Sequence, residues 1–306
     1  LFSGWAAALP AAPKLFKVEG AGWWEGRLIE RALRDLHARN EKSTADANAI
    51  EDAVFFAISS VAEKGFLKPV VEVEIERVSG EVFTHQFDAD FDHLLPRPIQ
   101  ASRVLLRIER GIRYRFGDVQ VSGSEPVVPE NRARELIIPP TGLIPSGEAR
   151  AFTPGRLQAG QERIELVLRD EGYAEATARS ENQAKDDETG EVDVVVAVTV
   201  GPRWWVRSVE VQTTRETGVV LPQIPAGPNQ IYTATWAQDQ IESLRRLFLP
   251  KGYPDVRVRV KRTPGERVDG ERPVDVTIQV EPGESVLMGE VQYIGAGNVN
   301  RRTLAR

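Results

Sequence analysis

Gly111-Ile-Arg-Tyr114-Arg-Phe116-Gly-Asp-Val119-Gln-Val121, Gly201-Pro-Arg-Trp204-Trp-Val206-Arg-Ser-Val209-Glu-Val211 and Gly283-Glu-Ser-Val286-Leu-Met288-Gly-Glu-Val291-Gln-Tyr293 are three copies of one pattern. Each reads Gly-x-x-apolar-x-apolar-x-x-Val-x-(Val/Tyr). The glycines fall 90 and 82 residues apart, far wider than the periods of helical solenoids. A spacing near the length of a small domain means domains in tandem. Function is then to be sought along an array rather than in one pocket.

A second signal keeps step with the first. Gly65-Phe66, Gly172-Tyr173 and Gly252-Tyr253 each close a helix-like run and precede an alternating one. Glycine past the last helical turn takes the left-handed conformation without a Cβ clash, and the aromatic that follows can fold back on that turn. These glycines fall 107 and 80 residues apart, so the first unit is the longest.

Over 306 residues, 27% charged and 41% hydrophobic is the composition of ordinary folded protein. A net charge of −6 argues against nucleic acid as a partner. The absence of cysteine removes thiolate catalysis, disulfides and thiolate metal sites. No run of 18 apolar residues exists to span a bilayer as a helix. Leu1 to Pro13 reads as the tail of a secretory signal peptide or as an Ala/Pro-rich linker. Met288 to Arg306 opens another strand-plus-helix pattern, so a further repeat is expected there.

Hydrophobic periodicity divides the rest. In the third unit it predicts a strand over Trp205 to Val211, a Pro/Gly-rich stretch over Val219 to Asn229, and a helix over Trp236 to Leu249 capped at Thr233 or Thr235. Strands at Asp255 to Arg262 and Val274 to Val280 follow. The second unit predicts strands at Phe116 to Val121, Tyr173 to Arg179 and Val192 to Val200, with helices at Pro129 to Ile137 and Leu157 to Glu171; a loop spans Pro139 to Gly155. The first predicts a strand over Leu15 to Glu19, helices at Trp24 to Arg39 and Ala45 to Lys64, and strands at Val70 to Val78 and Val104 to Glu109. An extra, imperfectly alternating segment lies between those strands at Glu81 to Phe91. The fold class is α+β, with each unit strand, helix, helix, strand, strand: a three-stranded mixed sheet with two helices on one face. Unit boundaries fall at 14–112, 113–203 and 204–285, with 1–13 preceding them and 286–306 starting another repeat. Short connections between units favour a semi-rigid rod.

Units of this order, with a Gly-aromatic after the second helix and the Gly-x-x-aromatic-x-apolar-x-x-Val exit, resemble the POTRA domains of the BamA/TamA outer-membrane-protein assembly family. The likeness covers about Lys14 to Tyr293, and Leu15-Phe-Lys-Val-Glu-Gly20 with two long helices resembles the first repeat of the TamA branch. The third exit departs from the pattern with Val286 in place of an aromatic. The resemblance implies a periplasmic arm of an outer-membrane barrel expected C-terminal to this stretch. Its partners would be unfolded outer-membrane proteins, with accessory lipoproteins or periplasmic subunits, and no cofactor or catalytic chemistry is implied.

The family mechanism is strand addition to an exposed sheet edge, where unpaired backbone N–H and C=O groups recruit another extended chain. By analogy the edge is the second strand of each unit. The client-binding candidates are Val256, Arg257, Val258, Arg259 and Val260 in the third and Val71, Glu72, Val73, Glu74 and Ile75 in the first, with Ala174 to Arg179 between. Charge distinguishes them: glutamates flank the first and Arg257, Arg259 and Lys261 the third, which suits acidic or amphipathic β clients. Alternating charge on an edge strand also guards against aggregation. Tyr114, Trp204 and Trp205 are the candidate contacts between repeats. Because strand neighbours point to opposite faces, one of Trp204 and Trp205 belongs in a core and the other outside it.

Enzymatic motifs are absent. Gly20-Ala-Gly22-Trp-Trp-Glu-Gly26 is one residue too long for a dinucleotide fingerprint and leads into no βαβ crossover. Asp186-Asp187-Glu188 with Glu191 lacks the alternate spacing of a calcium loop and reads as a solvated hairpin turn. His37, His85 and His93 make no metal-ligand spacing, and no serine elbow or triad is present. Two other readings compete with the assembly arm. A two-partner secretion transporter typically carries two such repeats, and an FtsQ-type scaffold a single one beside a transmembrane helix.

Overall fold

The computed structural model describes residues 15–38, 44–139, 150–287 and 289. The expected leader or linker, most of the Pro139–Gly155 loop and nearly all of the pattern opened at Met288 lie outside them, as does the side chain of His37. The chain divides into two compact units, Leu1–Ile164 with Thr177–Thr199, and Glu165–Ala176 with Val200–Arg306.

The first unit holds two sheets. In the earlier one, β1 (Phe16–Glu19) leads to α1 (Trp23–Ala38), and β2 (Ala45–Asp46) leads to α2 (Ala47–Ala62). The Asp46 carboxylate caps α2, accepting the Ala49 N–H at 2.9 Å. β3 (Val70–Arg77), β4 (Val82–Phe87) and β5 (Gln100–Glu109) complete a mixed sheet ordered β1-β5-β3-β4, with β2 also on β5. β1 runs parallel to β5, and β3 antiparallel to both β5 and β4. Val71, Val73, Ile75, Val104 and Leu106 enter one core with Ile29 and Leu33 of α1 and Ile50, Val54 and Val61 of α2. Strand alternation sends Glu72 and Glu74 to the opposite face, where both bond Arg107, at 3.0 and 2.8 Å.

Five strands stand where three were expected. The extra segment is β4, and its poor alternation has a physical cause. Of its inward residues Phe83, His85 and Phe87 only Phe87 is fully buried, at 1% exposed. Phe83 is partly buried against the core, His85 stands between them, and Val82 is 56% exposed on the other side.

The later sheet contains β6 (Arg115–Ser122), β7 (Thr177–Lys185) and β8 (Glu191–Thr199), ordered β6-β8-β7, with β6 parallel and β7 antiparallel to β8. Between β6 and β7 come α3 (Glu130–Ile137) and α4 (Pro154–Asp170). The Thr153 hydroxyl caps α4 by accepting the Arg156 N–H at 3.1 Å. β7 starts later than expected because backbone bonds from Tyr173 N–H to Leu168 and from Ala176 N–H to Tyr173 keep residues 172–176 in turns.

The second unit repeats the plan. β9 (Arg203–Thr213), α5 (Ala234–Phe248), a 3₁₀ turn (Leu249–Lys251), β10 (Arg257–Pro264) and β11 (Glu271–Glu281) form a sheet ordered β10-β11-β9. Here too the opening strand is parallel to the last and the middle strand antiparallel. Leu244 and Phe248 pack with Trp204, Val206, Val274, Val276 and Ile278. Thr233 caps α5, its hydroxyl accepting the Trp236 N–H at 2.9 Å. One α-helix stands where two were expected. The stretch before it carries Pro222, Pro225 and Pro228, each lacking a backbone donor, and no helix forms there.

Candidate functional site

The two repeated sequence signals meet in space. Gly65, Gly172 and Gly252 have φ of +95°, +97° and +88°. Each glycine carbonyl accepts an N–H from the residue three past the following exit glycine. Tyr114 donates to Gly65 at 2.8 Å, Trp204 to Gly172 at 2.8 Å and Val286 to Gly252 at 2.7 Å. At the first two junctions the aromatic's own carbonyl then accepts a further N–H, from Phe152 at 2.9 Å and from Tyr232 at 3.0 Å. The bond is made by backbone, so Val286 forms it as well as a tyrosine or tryptophan does.

The rings add side-chain contacts. Tyr114 is buried, and its hydroxyl donates to Asp187 at 2.5 Å; the Lys68 ammonium bonds the same carboxylate. The acidic stretch is the hairpin turn its sequence predicts, but Asp187 is engaged rather than merely solvated. Lys68, then the Tyr114 hydroxyl, hold the Asp187 carboxyl below its ordinary value. Burial, then Asp187, push the Tyr114 phenol up. Trp204 is the inward ring of its doublet and Trp205 is half-buried. The Trp204 indole N–H donates to Glu175 at 3.2 Å, and the Arg262 guanidinium lies over the ring at 5.1 Å.

A lowered carboxyl contributes stability that is complete above its unfolded pKa and is lost as pH falls through the folded value. Asp187→Asn should therefore lower the midpoint of thermal unfolding at neutral pH and flatten its decline on acidification below about pH 4. Parallel pH profiles for the two proteins would remove the Lys68–Asp187–Tyr114 contact from the account.

The sheet edges divide differently from expectation. β3, with Val71, Glu72, Val73, Glu74 and Ile75, is not an edge. Val71 pairs with Phe87 on one side and Ile108 on the other, and Ile75 with Phe83 and Val104. The chain turns at Arg77–Glu81 and lays β4 along that flank, which seals it. Glu72 and Glu74 answer Arg107 rather than guard an edge. The outer strand there is β4 itself, and Val82–Phe87 contains no Asp, Glu, Lys or Arg.

Among the described residues β7 pairs with β8 alone, but its register slips between Ser180 and Asn182. Such a bulge twists an edge away from further pairing. β10 pairs with β11 alone, through Arg257–Pro264, without a register shift. Val256, expected on that edge, precedes the strand and is buried in the core. Arg257, Arg259 and Lys261 are exposed, while Val258 and Val260 are half-buried against the core. Of the described edges, β10 is the long, regular and cationic one.

A scan against protein families matches residues 114–201 to POTRA, described as a surface antigen variable number repeat. The middle repeat is a POTRA domain. Its neighbours share with it the order opening strand, last strand, middle strand and the glycine-to-strand backbone bond. No match was found among the curated proteins.

Similar solved structures include POTRA domains 3–5 of Haemophilus influenzae BamA, 15% identical, with a TM-score of 0.40 over 76% of this chain and 80% of that one. The N-terminal domain of Omp85 from Thermosynechococcus elongatus is 18% identical, with a TM-score of 0.34 over 88% and 95%. CdiB from Escherichia coli is 16% identical, with a TM-score of 0.26 over 59% of this chain and 28% of its own.

Beside the Gly65–Tyr114 junction lies an open cleft of about 370 Å³. Lys68, Asp88, Asp90, Tyr114 and Lys185 line it, amines facing carboxylates without a nucleophile–base pair. Among the described residues no group of three or more His, Asp or Glu is placed to hold a metal ion. A nitrogen of His85 lies 3.1 Å from the His93 carbonyl oxygen, which ties the segment after β4 back to that strand. No described helix is long and apolar enough to cross a membrane.

Proposed function

We propose that this POTRA array receives extended segments of unfolded outer-membrane proteins by strand addition, as the periplasmic arm of an Omp85-type assembly factor whose membrane barrel follows the array. The role is binding without catalysis. One observation carries it: β10 offers a regular run of backbone donors and acceptors with a partner on one side only. An incoming strand gains about 0.5–1.5 kcal/mol net per backbone hydrogen bond whatever its sequence, which suits a receiver of many clients. Side chains set the preference. Arg257, Arg259 and Lys261 favour strands with acidic residues on the matching face. Accessory lipoproteins or periplasmic subunits are candidate partners for the remaining surface.

Fluorescence anisotropy with two labelled alternating peptides, one bearing glutamate on its polar face and one lysine, tests this reading. The triple charge reversal Arg257→Glu, Arg259→Glu, Lys261→Glu should weaken the acidic peptide about 10–100-fold and strengthen the basic one. Unchanged affinity for both peptides would remove β10 as the receiving edge.

A further inference from the structure

We infer that the outward face of α1 is a docking surface for a bilayer that carries anionic phospholipid. Trp23, Trp24 and Leu28 are 71%, 65% and 63% exposed, while Ile29 and Leu33 on the same helix are buried in the core. A folded chain usually buries most of a tryptophan. Here two indoles stand side by side, their rings stacked with centroids 5.3 Å apart, and the Arg27 guanidinium lies 4.4 Å over Trp23. At 100° per residue, Trp23, Trp24, Arg27, Leu28, Arg31 and Arg34 fall within an arc of about 140°.

Charge points to the occupant. Arg27, Arg31 and Arg34 are exposed, and none is ion-paired among the described residues. Asp35 is the exposed carboxylate on that arc. Glu30, at its rim, is turned back toward β1, where it accepts the Val18 N–H at 3.1 Å. The face is thus locally cationic on a chain of net charge −6. An acidic polypeptide would satisfy the arginines but would leave two exposed indoles without a reason. A phospholipid headgroup layer satisfies both: guanidinium forks bond phosphate, and indoles settle at the boundary between headgroups and acyl chains. The inference stands apart from strand addition at β10 and does not depend on it.

Co-sedimentation of the chain with vesicles tests it, using phosphatidylcholine alone and an equal mixture with phosphatidylglycerol. Binding to the anionic vesicles, weakened by salt and accompanied by a blue shift of tryptophan emission, is expected. Arg27→Gln, Arg31→Gln, Arg34→Gln together should reduce partitioning about a hundred-fold. Trp23→Ala with Trp24→Ala should reduce it at least about tenfold. Both variants should melt as the parent does, since the replaced side chains are exposed. Absence of binding to anionic vesicles, or binding that both variants retain, overturns the proposal. So does a vesicle-free dimer that the tryptophan variant dissociates, which would assign the face to a second copy. Displacement from vesicles by polyglutamate but not by equal ionic strength of simple salt would assign it to an acidic protein instead.

Discussion

Gly65→Ala is expected to lower the midpoint of thermal unfolding by about 10 °C, whereas Gly80→Ala lowers it by about 4 °C. The two glycines are matched for backbone strain, with φ of +95° and +88°, and both belong to the first compact unit. They differ in what surrounds them. A Cβ on Gly80 meets nothing within 4 Å; one on Gly65 falls 2.8 Å from the Tyr114 carbonyl oxygen and 3.2 Å from the Ala151 Cβ. Left-handed strain costs an alanine about 1–2 kcal/mol at either position. The crowding is confined to Gly65, and because the obstructing atom is backbone it cannot rotate away, which adds about 1–3 kcal/mol. Calorimetry on both variants measures the difference directly. Amide exchange offers a second reading, since the Tyr114 N–H bonded to Gly65 and the Phe152 N–H bonded to Tyr114 should lose protection together. Equal midpoint shifts for the two substitutions would mean that the junction yields freely and holds nothing in register.

The sequence carried what local chemistry decides. Glycine at positive φ, the Thr233 cap and the alternation in Val71–Val73–Ile75 are all fixed within a few residues, and the elements they belong to formed close to their expected bounds, whereas Asp46, expected inside a helix, caps it instead. Which strand lies beside which is a non-local property, and there the reading failed. Counting β3 as an edge required that Glu81 to Phe91 stay off the sheet, although Ser79-Gly80 between two alternating runs is itself a hairpin signal. Pro222, Pro225 and Pro228 likewise ruled out a helix locally, but the assumption that all repeats are alike obscured it. The register slip between Ser180 and Asn182 leaves no mark in composition. The outward turn of Trp23 and Trp24 depends on how Ile29 and Leu33 seat α1 in the core, which the doublet alone cannot show.

The junctions explain why the two glycine signals keep step. Were the Gly-aromatic only a helix stop and the exit glycine only a loop, nothing would couple their spacing. Because the carbonyl of one bonds the N–H three residues beyond the other, moving either alone breaks the bond, and the signals must travel together. The coupling acts through backbone geometry, so it tolerates tyrosine, tryptophan or valine at the donor and demands glycine at the acceptor.

Proline placed in β10 should separate the two sides of that strand, and the functional effect is expected to be large. Consecutive N–H groups of a strand point to opposite sides, so of Arg259→Pro and Val260→Pro one removes a donor facing β11 and the other a donor facing the open flank. The first breaks a ladder bond and should lower the unfolding midpoint by several degrees. The second leaves the sheet's own bonds intact and should melt near the parent. It should nevertheless weaken binding of an extended client peptide by about 30-fold or more, since the incoming strand loses a hydrogen bond and meets the pyrrolidine ring. Melting curves identify which variant is which without assuming the register, and anisotropy with the same peptide then reads the edge. A well-folded proline variant that binds as tightly as the parent, or a loss of binding confined to the destabilised one, would leave β10 as an ordinary protected edge and send the search for the receiving strand to the uncharged β4.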